Sequence, residues 1–408
     1  MWRRIGHFKL FGPGSRRVGR RARSYVSIRD LVLGADPSID ELELFQAEYP
    51  QCQYIKGRYL SPWSKETEKS FFSTAKWLMT RQQNKLQWPP TVTRDLDVLL
   101  QPRRSLDMAK IADKSAPHVT WIGHATMYAQ IGGLHFITDP MFSERAFPTQ
   151  MLGPKRYVLP AAQVEQLPID VVLLSHTHYD HLDYGTALRI GNRALWLVPL
   201  GVKSLLAGWG ISNVIELNWW DSHAIASPTT GELVNVHFTP AKHWTARSIV
   251  DRNTCLWGSF AVLSQGCKFF FSGDTAYCSV FSQIGQKFGG FDVTALGIGA
   301  YKPRYFMKDH HCDPADALQI HRDIRAKQSV AIHWGTFPLA DEDLAEPALE
   351  LARVREASAA AGSHTGEFFT LLHGETHRVG DAPINDFESR WPQLYAHYKA
   401  NFVSSPED

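Results

Sequence analysis

The stretch Ser-His-Thr-His-Tyr-Asp-His (175–181) decides how this 408-residue sequence is interpreted. It follows the apolar run Ile-Asp-Val-Val-Leu-Leu (169–174), whose composition is typical of a buried β-strand. Three histidines and one aspartate therefore stand where a sheet can hold them rigidly. Alternate residues of a strand point the same way, and the chain turns beyond its end. One metal ion cannot easily take all four side chains, whereas two ions about 3.5–4 Å apart can.

Three later segments repeat the order of an apolar strand followed by a metal-binding residue type. They are Phe-Thr-Pro-Ala-Lys-His-Trp (238–244) with His243, Phe-Phe-Phe-Ser-Gly-Asp-Thr (269–275) with Asp274, and Ser-Val-Ala-Ile-His-Trp-Gly-Thr-Phe (329–337) with His333. Each segment alone is weak, because a histidine after a strand is more often structural than functional. An open sheet places binding residues at one set of strand ends, so the ordered set predicts a single site.

The pattern His-x-His-x-Asp-His with its downstream His, Asp and His resembles the signature of the metallo-β-lactamase superfamily. Longer strings, spanning roughly 55 to 375, resemble the N-acyl-phosphatidylethanolamine-hydrolysing phospholipase D family. They include Val-Thr-Trp-Ile-Gly-His-Ala-Thr (119–126), Thr-Asp-Pro-Met-Phe-Ser-Glu-Arg-Ala (138–146), Gly-Pro-Lys-Arg (153–156) and Gly-Ala-Tyr-Lys-Pro-Arg-Tyr-Phe-Met-Lys (299–308). Metal binding alone does not require these strings, so they carry the narrower resemblance.

The resemblance implies an α/β protein with the αββα sandwich, in which two mixed sheets are flanked by helices. Periodicity alone indicates only alternating helices and strands from His118 onward. The resemblance also implies two zinc ions per chain, although imidazole and carboxylate also suit iron or manganese. Transferred residue by residue, one zinc would be held by His176, His178 and His243, the other by Asp180, His181 and His333, with Asp274 bridging.

The same resemblance implies the chemistry. Two zinc ions, two carboxylates and a bridging hydroxide leave a net charge of about +1, which favours an anionic substrate such as a phosphodiester. Metal binding lowers the pKa of water to about 7, so the hydroxide is the expected nucleophile on phosphorus. The expected reaction converts N-acyl-phosphatidylethanolamine to N-acylethanolamine and phosphatidic acid. Alternatives are another hydrolase on this scaffold (a lactonase, thioesterase or RNA-processing nuclease) or a non-catalytic membrane-associated metal protein.

Residues beside these ligands match family positions that contact substrate. Tyr179 is expected to bind substrate, and His311 to bind the phosphate or protonate the leaving group. With His311, the metal-binding Asp180 and Asp274 complete the expected catalytic set. Asp183 could have one of two roles: it could orient a ligand histidine by a hydrogen bond, or it could be the N-cap of a helix. Trp219 and Trp220 are expected either to insert among lipid headgroups or to pack in the core. The segment 219–235 that contains them is expected to form a variable loop near the membrane.

Composition and charge set the remaining expectations. Residues 1–29 hold eight Arg and one Lys with no acid, which is typical of a mitochondrial transit peptide, the alternative being a basic arm on an anionic membrane. The predicted organisation is this segment, an N-terminal extension (30–115), a hydrolase domain (116–380) and a tail (381–408). A net charge of +2 argues against a nucleic-acid partner. We expect peripheral binding to a mitochondrial or other intracellular membrane, with a homodimer suggested by family resemblance alone.

Overall fold

The computed structural model describes residues 49–63, 65, 76, 79–80, 86–101, 106–248, 250–363, 366–383 and 387–402. The basic segment 1–29 and most of a helix that the sequence predicts over 68–80 lie outside these residues. Within the described part, a short hairpin of β1 (Gln53–Ile55) and β2 (Arg58–Leu60) precedes two seven-stranded sheets.

Both sheets mix parallel and antiparallel strands. The first contains β3 (His118–Gly123), β4 (Thr126–Ile131), β5 (Leu134–Thr138), β6 (Val171–Leu173), β7 (Leu195–Pro199) and β8 (Val214–Leu217). The second contains β9 (Ser222–Ala226), β10 (Leu233–Thr239), β11 (Ser259–Leu263), β12 (Lys268–Phe271), β13 (Phe291–Gly297), β14 (Ala326–Ile332) and β15 (Glu367–Phe369). The last strand, β16 (Thr376–Arg378), returns to the first sheet beside β3.

The described helices connect or cover these strands. They are α1 (Pro90–Leu99), α2 (Met108–Ala112), α3 (Tyr184–Ile190), α4 (Val202–Gly208), α5 (Val280–Phe288), α6 (Arg304–Met307), α7 (Pro314–Asp323), α8 (Glu346–Ala360), α9 (Phe387–Arg390) and α10 (Pro392–Asn401). As the sequence indicates, α7 begins at the N-cap Asp313, whose carboxylate accepts from the Asp316 amide at 2.9 Å. No described helix combines the length and apolarity needed to cross a bilayer.

Alternation along the strands builds two apolar layers, because successive side chains of a strand leave opposite faces of the sheet. In β6, Val171 and Leu173 join the large core that also contains inner-face residues of the second sheet. Val172, between them, joins a second cluster with helical residues such as Ala187 and Leu206. The two sheets therefore face each other across one core while helices cover the outside, which confirms the predicted αββα architecture.

The topology brings several strand ends to one edge. Strands β5 to β8 run parallel in the first sheet, and β12 to β15 run parallel in the second. Segments leaving β6, β10, β12 and β14 carry the residues predicted to bind metal, in the order expected from the sequence. This edge of the sandwich is therefore where functional side chains converge.

The structure corrects one expectation for the segment 219–235 and selects one of the two alternatives for its tryptophans. The loop prediction is wrong for Ser222–Ala226, which forms the edge strand β9 and pairs with β10. Trp219 and Trp220 are buried, and their indole nitrogens donate to the carbonyls of Trp257 at 2.6 Å and Pro50 at 3.0 Å. Both tryptophans therefore belong to the core, the second of the two alternatives that their sequence allows.

Candidate metal centre

Three imidazoles form the first half of a buried cluster. The inward Nε2 of His176 lies 2.8 Å from Nδ1 of His178, and Nε2 of His243 lies 3.4 Å from that same atom. His176 and His178 stand at alternate positions just after β6, whereas His243 follows β10 of the other sheet. Their facing nitrogens all lie within 4.8 Å of one another, close enough for one metal ion.

The second half of the cluster is formed by Asp180, His181 and His333, with His124 beside them. Nε2 of His181 lies 3.4 Å from Asp180 Oδ2, and Nε2 of His333 lies 3.9 Å from the same oxygen. The turn after His178 brings Asp180 and His181 beside His333, while the His181 ring centroid stays 4.1 Å from that of His176. These donors can surround a second ion.

Asp274 stands between the two halves. Its Oδ2 lies 3.1 Å from Nε2 of His181, 3.8 Å from Nε2 of His243 and 3.9 Å from Nε2 of His176. Its Oδ1 lies 3.0 Å from Nε2 of His333. Oδ1 faces the second group and Oδ2 faces both groups, so this carboxylate is placed to touch two ions at once.

The donor set fits metal ions better than it fits a network of hydrogen bonds. Two imidazole nitrogens 2.8 Å apart, those of His176 and His178, can share only one proton. In the described part of the chain, the buried Nε2 atoms of His181 and His333 make no hydrogen bond of good geometry. Buried polar atoms are normally satisfied, and nitrogen and carboxylate oxygen are the donors that zinc takes.

Partners behind the cluster fix the orientation of the imidazoles. Asp139 Oδ2 lies 2.7 Å from Nδ1 of His181, and Ser175 Oγ lies 2.9 Å from Nδ1 of His176. The carbonyl of His310 lies 2.9 Å from Nδ1 of His243. A hydrogen bond at the outer nitrogen leaves the inner nitrogen free of a proton, which is the form that binds a metal.

Asp139 was missed as a site residue, although its segment Thr-Asp-Pro follows the apolar strand β5. That is the same strand-then-ligand signal that singles out Asp274. Asp183 serves as the N-cap of α3, accepting from Gly185 N at 3.2 Å and Ser143 N at 3.0 Å. Asp139 therefore supports a histidine of the motif, and Asp183 fulfils the capping alternative.

Burial and mutual charge shift the pKa values of the cluster. Desolvation lowers the pKa of His178 to about 4 and that of His243 to about 3, with neighbouring imidazoles adding to the effect. Burial would raise the pKa of Asp274, but His181 and His333 outweigh it and hold that pKa well below its ordinary value. Most of the imidazoles are thus neutral and the carboxylate is ionised, the protonation states that metal binding requires.

The residues predicted to contact substrate lie on two sides of the cluster. Nδ1 of His311 is 3.8 Å from Asp274 Oδ2, and its ring centroid is 5.2 Å from that of His243. Tyr179 faces outward: its hydroxyl donates to the Arg247 carbonyl, and the Arg247 guanidinium lies 4.2 Å from the ring centroid. His311 therefore borders both halves of the cluster, whereas the Tyr179 hydroxyl joins two loops.

Comparison with known proteins agrees with this arrangement. The family described as "Beta-lactamase superfamily domain" matches residues 135–334. A solved structure of isothiocyanate hydrolase from Delia radicum gut bacteria superposes with a TM-score of 0.50 at 20% identity, over 64% of this chain and 98% of that one. At this identity the likeness shows the fold alone, which is the one described above.

Curated relatives are closer. The chain is 39% identical over 279 residues to "N-acyl-phosphatidylethanolamine-hydrolyzing phospholipase D 1" of Caenorhabditis elegans, which is 66% of this chain and 78% of that protein. It is 36% identical over 243 residues to "N-acyl-phosphatidylethanolamine-hydrolyzing phospholipase D, mitochondrial" of Saccharomyces cerevisiae, covering 58% of this chain and 51% of that protein. The chain therefore belongs to the N-acyl-phosphatidylethanolamine-hydrolysing phospholipase D family of the metallo-β-lactamase superfamily and is a metal-dependent hydrolase.

Proposed function

We propose that this chain is a binuclear zinc phosphodiesterase that hydrolyses N-acyl-phosphatidylethanolamine to N-acylethanolamine and phosphatidic acid. One observation carries the proposal: the Asp274 carboxylate lies between both halves of the cluster, with Oδ1 3.0 Å from His333, and Oδ2 3.1 Å from His181 and 3.8–3.9 Å from His243 and His176. This placement suits a carboxylate that bridges two ions. The two relatives named for this lipid substrate supply its chemical class.

The proposed ligand sets follow the geometry. His176, His178 and His243 would hold one zinc; Asp180, His181 and His333 would hold the other, and Asp274 would be shared. When bound, the two ions supply a hydroxide that is nucleophilic at neutral pH and positive charge for a phosphate. The protein orients the imidazoles through Asp139, Ser175 and the His310 carbonyl, which lie at their outer nitrogens.

His311 is proposed to bind the phosphate. Desolvation lowers its pKa to about 3, so the imidazole is neutral over the working pH range and carries one N–H. Its Nδ1 lies 3.8 Å from Asp274 Oδ2, beside the residues proposed to hold both ions. A neutral imidazole serves better as a hydrogen-bond donor to a phosphate oxygen than as the proton source for the leaving group.

A membrane surface is the proposed partner, and an exposed apolar rim beside the site supports it. The apolar rim consists of Phe147, Met151, Leu152, Tyr157 and Leu159, with Met151 85% and Leu152 63% exposed. It adjoins the site because the Phe147 ring centroid lies 5.9 Å from that of Tyr179, and Tyr157 N donates to the Thr336 carbonyl at 2.7 Å. Apolar side chains gathered at the mouth of a site suit a lipid substrate in a bilayer.

We place the protein at a mitochondrial membrane, bound peripherally, and propose a homodimer on family grounds. The acid-free basic segment 1–29 and the word "mitochondrial" in the name of the yeast relative support this address. Deleting residues 1–25 is expected to leave the turnover of purified protein unchanged while moving a fluorescent fusion out of mitochondria. Unchanged mitochondrial fluorescence would contradict the address.

A product assay on purified, metal-analysed protein tests the reaction. Mixed micelles containing N-acyl-phosphatidylethanolamine should yield equal amounts of N-acylethanolamine and phosphatidic acid, measured by mass spectrometry. His311→Gln keeps a side-chain N–H and should retain more turnover than His311→Ala at equal metal content. Protein carrying two zinc ions that cleaves lactone, thioester or RNA substrates but leaves this lipid intact would refute the proposed specificity.

A further inference from the structure

His124 is a buried residue of the cluster that belongs to neither proposed ligand set. It stands in the corner between β3 and β4, is only 1% exposed and adopts a left-handed backbone with φ 53°. Positive φ is uncommon for a residue with a side chain and costs free energy that the surrounding structure must compensate. The contacts of His124 with the surrounding residues must therefore stabilise this conformation.

The side chain of His124 contacts one proposed metal ligand. Its Nε2 lies 3.0 Å from Asp180 Oδ2, the oxygen that also faces His181 at 3.4 Å and His333 at 3.9 Å. A carboxylate oxygen has two lone pairs, so it can accept from an N–H and bind a cation at the same time. The hydrogen bond from His124 would therefore direct the second lone pair of this oxygen toward the ion.

The main chain of His124 contacts a second proposed ligand. Its carbonyl accepts from His333 N at 2.9 Å and from Trp121 Nε1 at 2.9 Å, while its own amide donates to Thr336 Oγ1 at 2.7 Å. His333 also has a left-handed backbone, with φ 62°. Because β3 and β14 belong to different sheets, this corner links the two halves of the sandwich at the site.

We propose that His124 is a positioning residue of the metal centre, holding the Asp180 carboxylate through its side chain and the His333 main chain through its carbonyl. The inference rests on the proposed ligand roles of Asp180 and His333 but not on the lipid specificity. It predicts that only the ion bound by Asp180, His181 and His333 depends on His124. The contacts of the His124 side chain within the cluster are with Asp180, His181 and His333, all members of that one ligand set.

Direct ligation by His124 is the competing role, since its nitrogen lies within 4.8 Å of ligand atoms of Asp180, His181 and His333. Two observations favour positioning. The 3.0 Å separation from Asp180 Oδ2 is an ordinary hydrogen-bond length. Asp180, His181, His333 and the bridging Asp274 already supply four protein donors, the usual coordination number of zinc.

A matched pair of variants separates the two roles. His124→Leu removes the N–H at similar volume, and His124→Gln keeps an N–H at similar reach; both tolerate the left-handed backbone equally poorly. Zinc is added to metal-free protein in competition with a chromogenic chelator, and thermal unfolding of the metal-free protein is recorded in parallel. We expect His124→Leu to weaken binding of the ion held by Asp180, His181 and His333, which we call the second equivalent, by about 10- to 100-fold. His124→Gln should restore most of this affinity, and the ion held by His176, His178 and His243, the first equivalent, should bind unchanged.

His118→Ala is the control, because His118 begins the strand that His124 follows and is only 4% exposed. Its Nδ1 lies 3.2 Å from the Ala116 carbonyl, away from the cluster. This variant should bind both equivalents of zinc normally even if it unfolds at lower temperature. Should His124→Leu fail to fold, His124→Asn takes its place, because asparagine suits positive φ and its shorter amide cannot reach Asp180.

The proposal would be overturned if folded His124→Leu, or His124→Asn in its place, bound both equivalents of zinc with wild-type affinity. Equal loss of the second equivalent in the Leu and Gln variants, with a changed visible spectrum in the cobalt-loaded Gln protein, would assign His124 as a ligand and also overturn it. Because zinc binding is measured and turnover is not, failure here is distinct from failure on the lipid, which the product assay detects separately.

Discussion

Replacing Asp139 by asparagine should weaken metal binding without touching any proposed ligand. Asp139 is fully buried, accepts from Ser175 N at 2.7 Å, and faces Nδ1 of His181 at 2.7 Å. An asparagine keeps an oxygen for Ser175 N but turns its NH₂ group toward both His181 Nδ1 and Ser175 Oγ, which share the other carboxylate oxygen in Asp139. His181 must then accept at Nδ1, and its proton moves to Nε2, the nitrogen 3.1 Å from Asp274 that is needed for the metal.

The expected size of the effect follows from these contacts. Outer partners of metal-binding histidines are worth about 10- to 100-fold in metal affinity, which is about 1.4–2.7 kcal/mol. The lost hydrogen bond to a charged group costs about 1.5–3 kcal/mol of folding free energy, partly offset because one buried charge disappears. The variant should therefore fold and bind the ion held by His181 poorly, with a smaller loss at the ion held by His176, whose Nδ1 is linked to Asp139 through Ser175 Oγ.

The assay is zinc titration of metal-free protein against a chelator, with plasma emission to count the metal retained after dialysis. Asp170→Asn is the matched control: at the opposite end of β5, Asp170 accepts from His135 N at 2.8 Å and lies 3.4 Å from His135 Nδ1. This control should retain both ions. Two ions bound with wild-type affinity by Asp139→Asn would refute the assigned tautomer of His181 and the reasoning built on it.

Three further outcomes are expected. His178→Ala and Asp274→Asn should lose metal by plasma emission and nearly all lipid turnover, and retention of two zinc ions would contradict the ligand sets. Desolvation lowers the pKa of the buried His373 from its ordinary value of 6.5 to about 3. Between these two pH values the His373 imidazole therefore binds a proton in the unfolded chain but not in the folded protein. This lowers the free energy of unfolding by about 2 kcal/mol between pH 7 and pH 5, and urea titrations should show a shallower pH slope for His373→Gln than for wild type. Met151→Ser with Leu152→Ser should reduce sedimentation with phospholipid vesicles about 10- to 100-fold while leaving turnover of a micellar short-chain substrate unchanged; equal sedimentation would remove the apolar rim from the membrane-binding surface.

Local pattern was sufficient for most of the strands that carry the site. The alternation over 233–239 and the apolar residues of 259–263 and 268–272 predict three strands, and the bounds of β10, β11 and β12 agree with these ranges to within one residue. Such patterns arise because burial of one or both faces of a strand determines which residue types it contains. Prediction was poorer where partners are distant in the chain. The sequence predicts a loop at the edge strand β9 because its half-exposed residues form no apolar pattern. Pairing with β10, a tertiary contact, stabilises the strand instead.

The amino-acid sequence by itself determined the donor types, their order and their position after strands, and therefore the superfamily and the prediction of a metal centre. Only the tertiary structure decided which buried groups stand behind the donors. Asp139 lies 42 residues from His181, and His124 lies 56 from Asp180, so no local period connects them. The physical reason is that strand composition records burial, a local property, whereas a hydrogen-bond partner is selected by how two sheets pack.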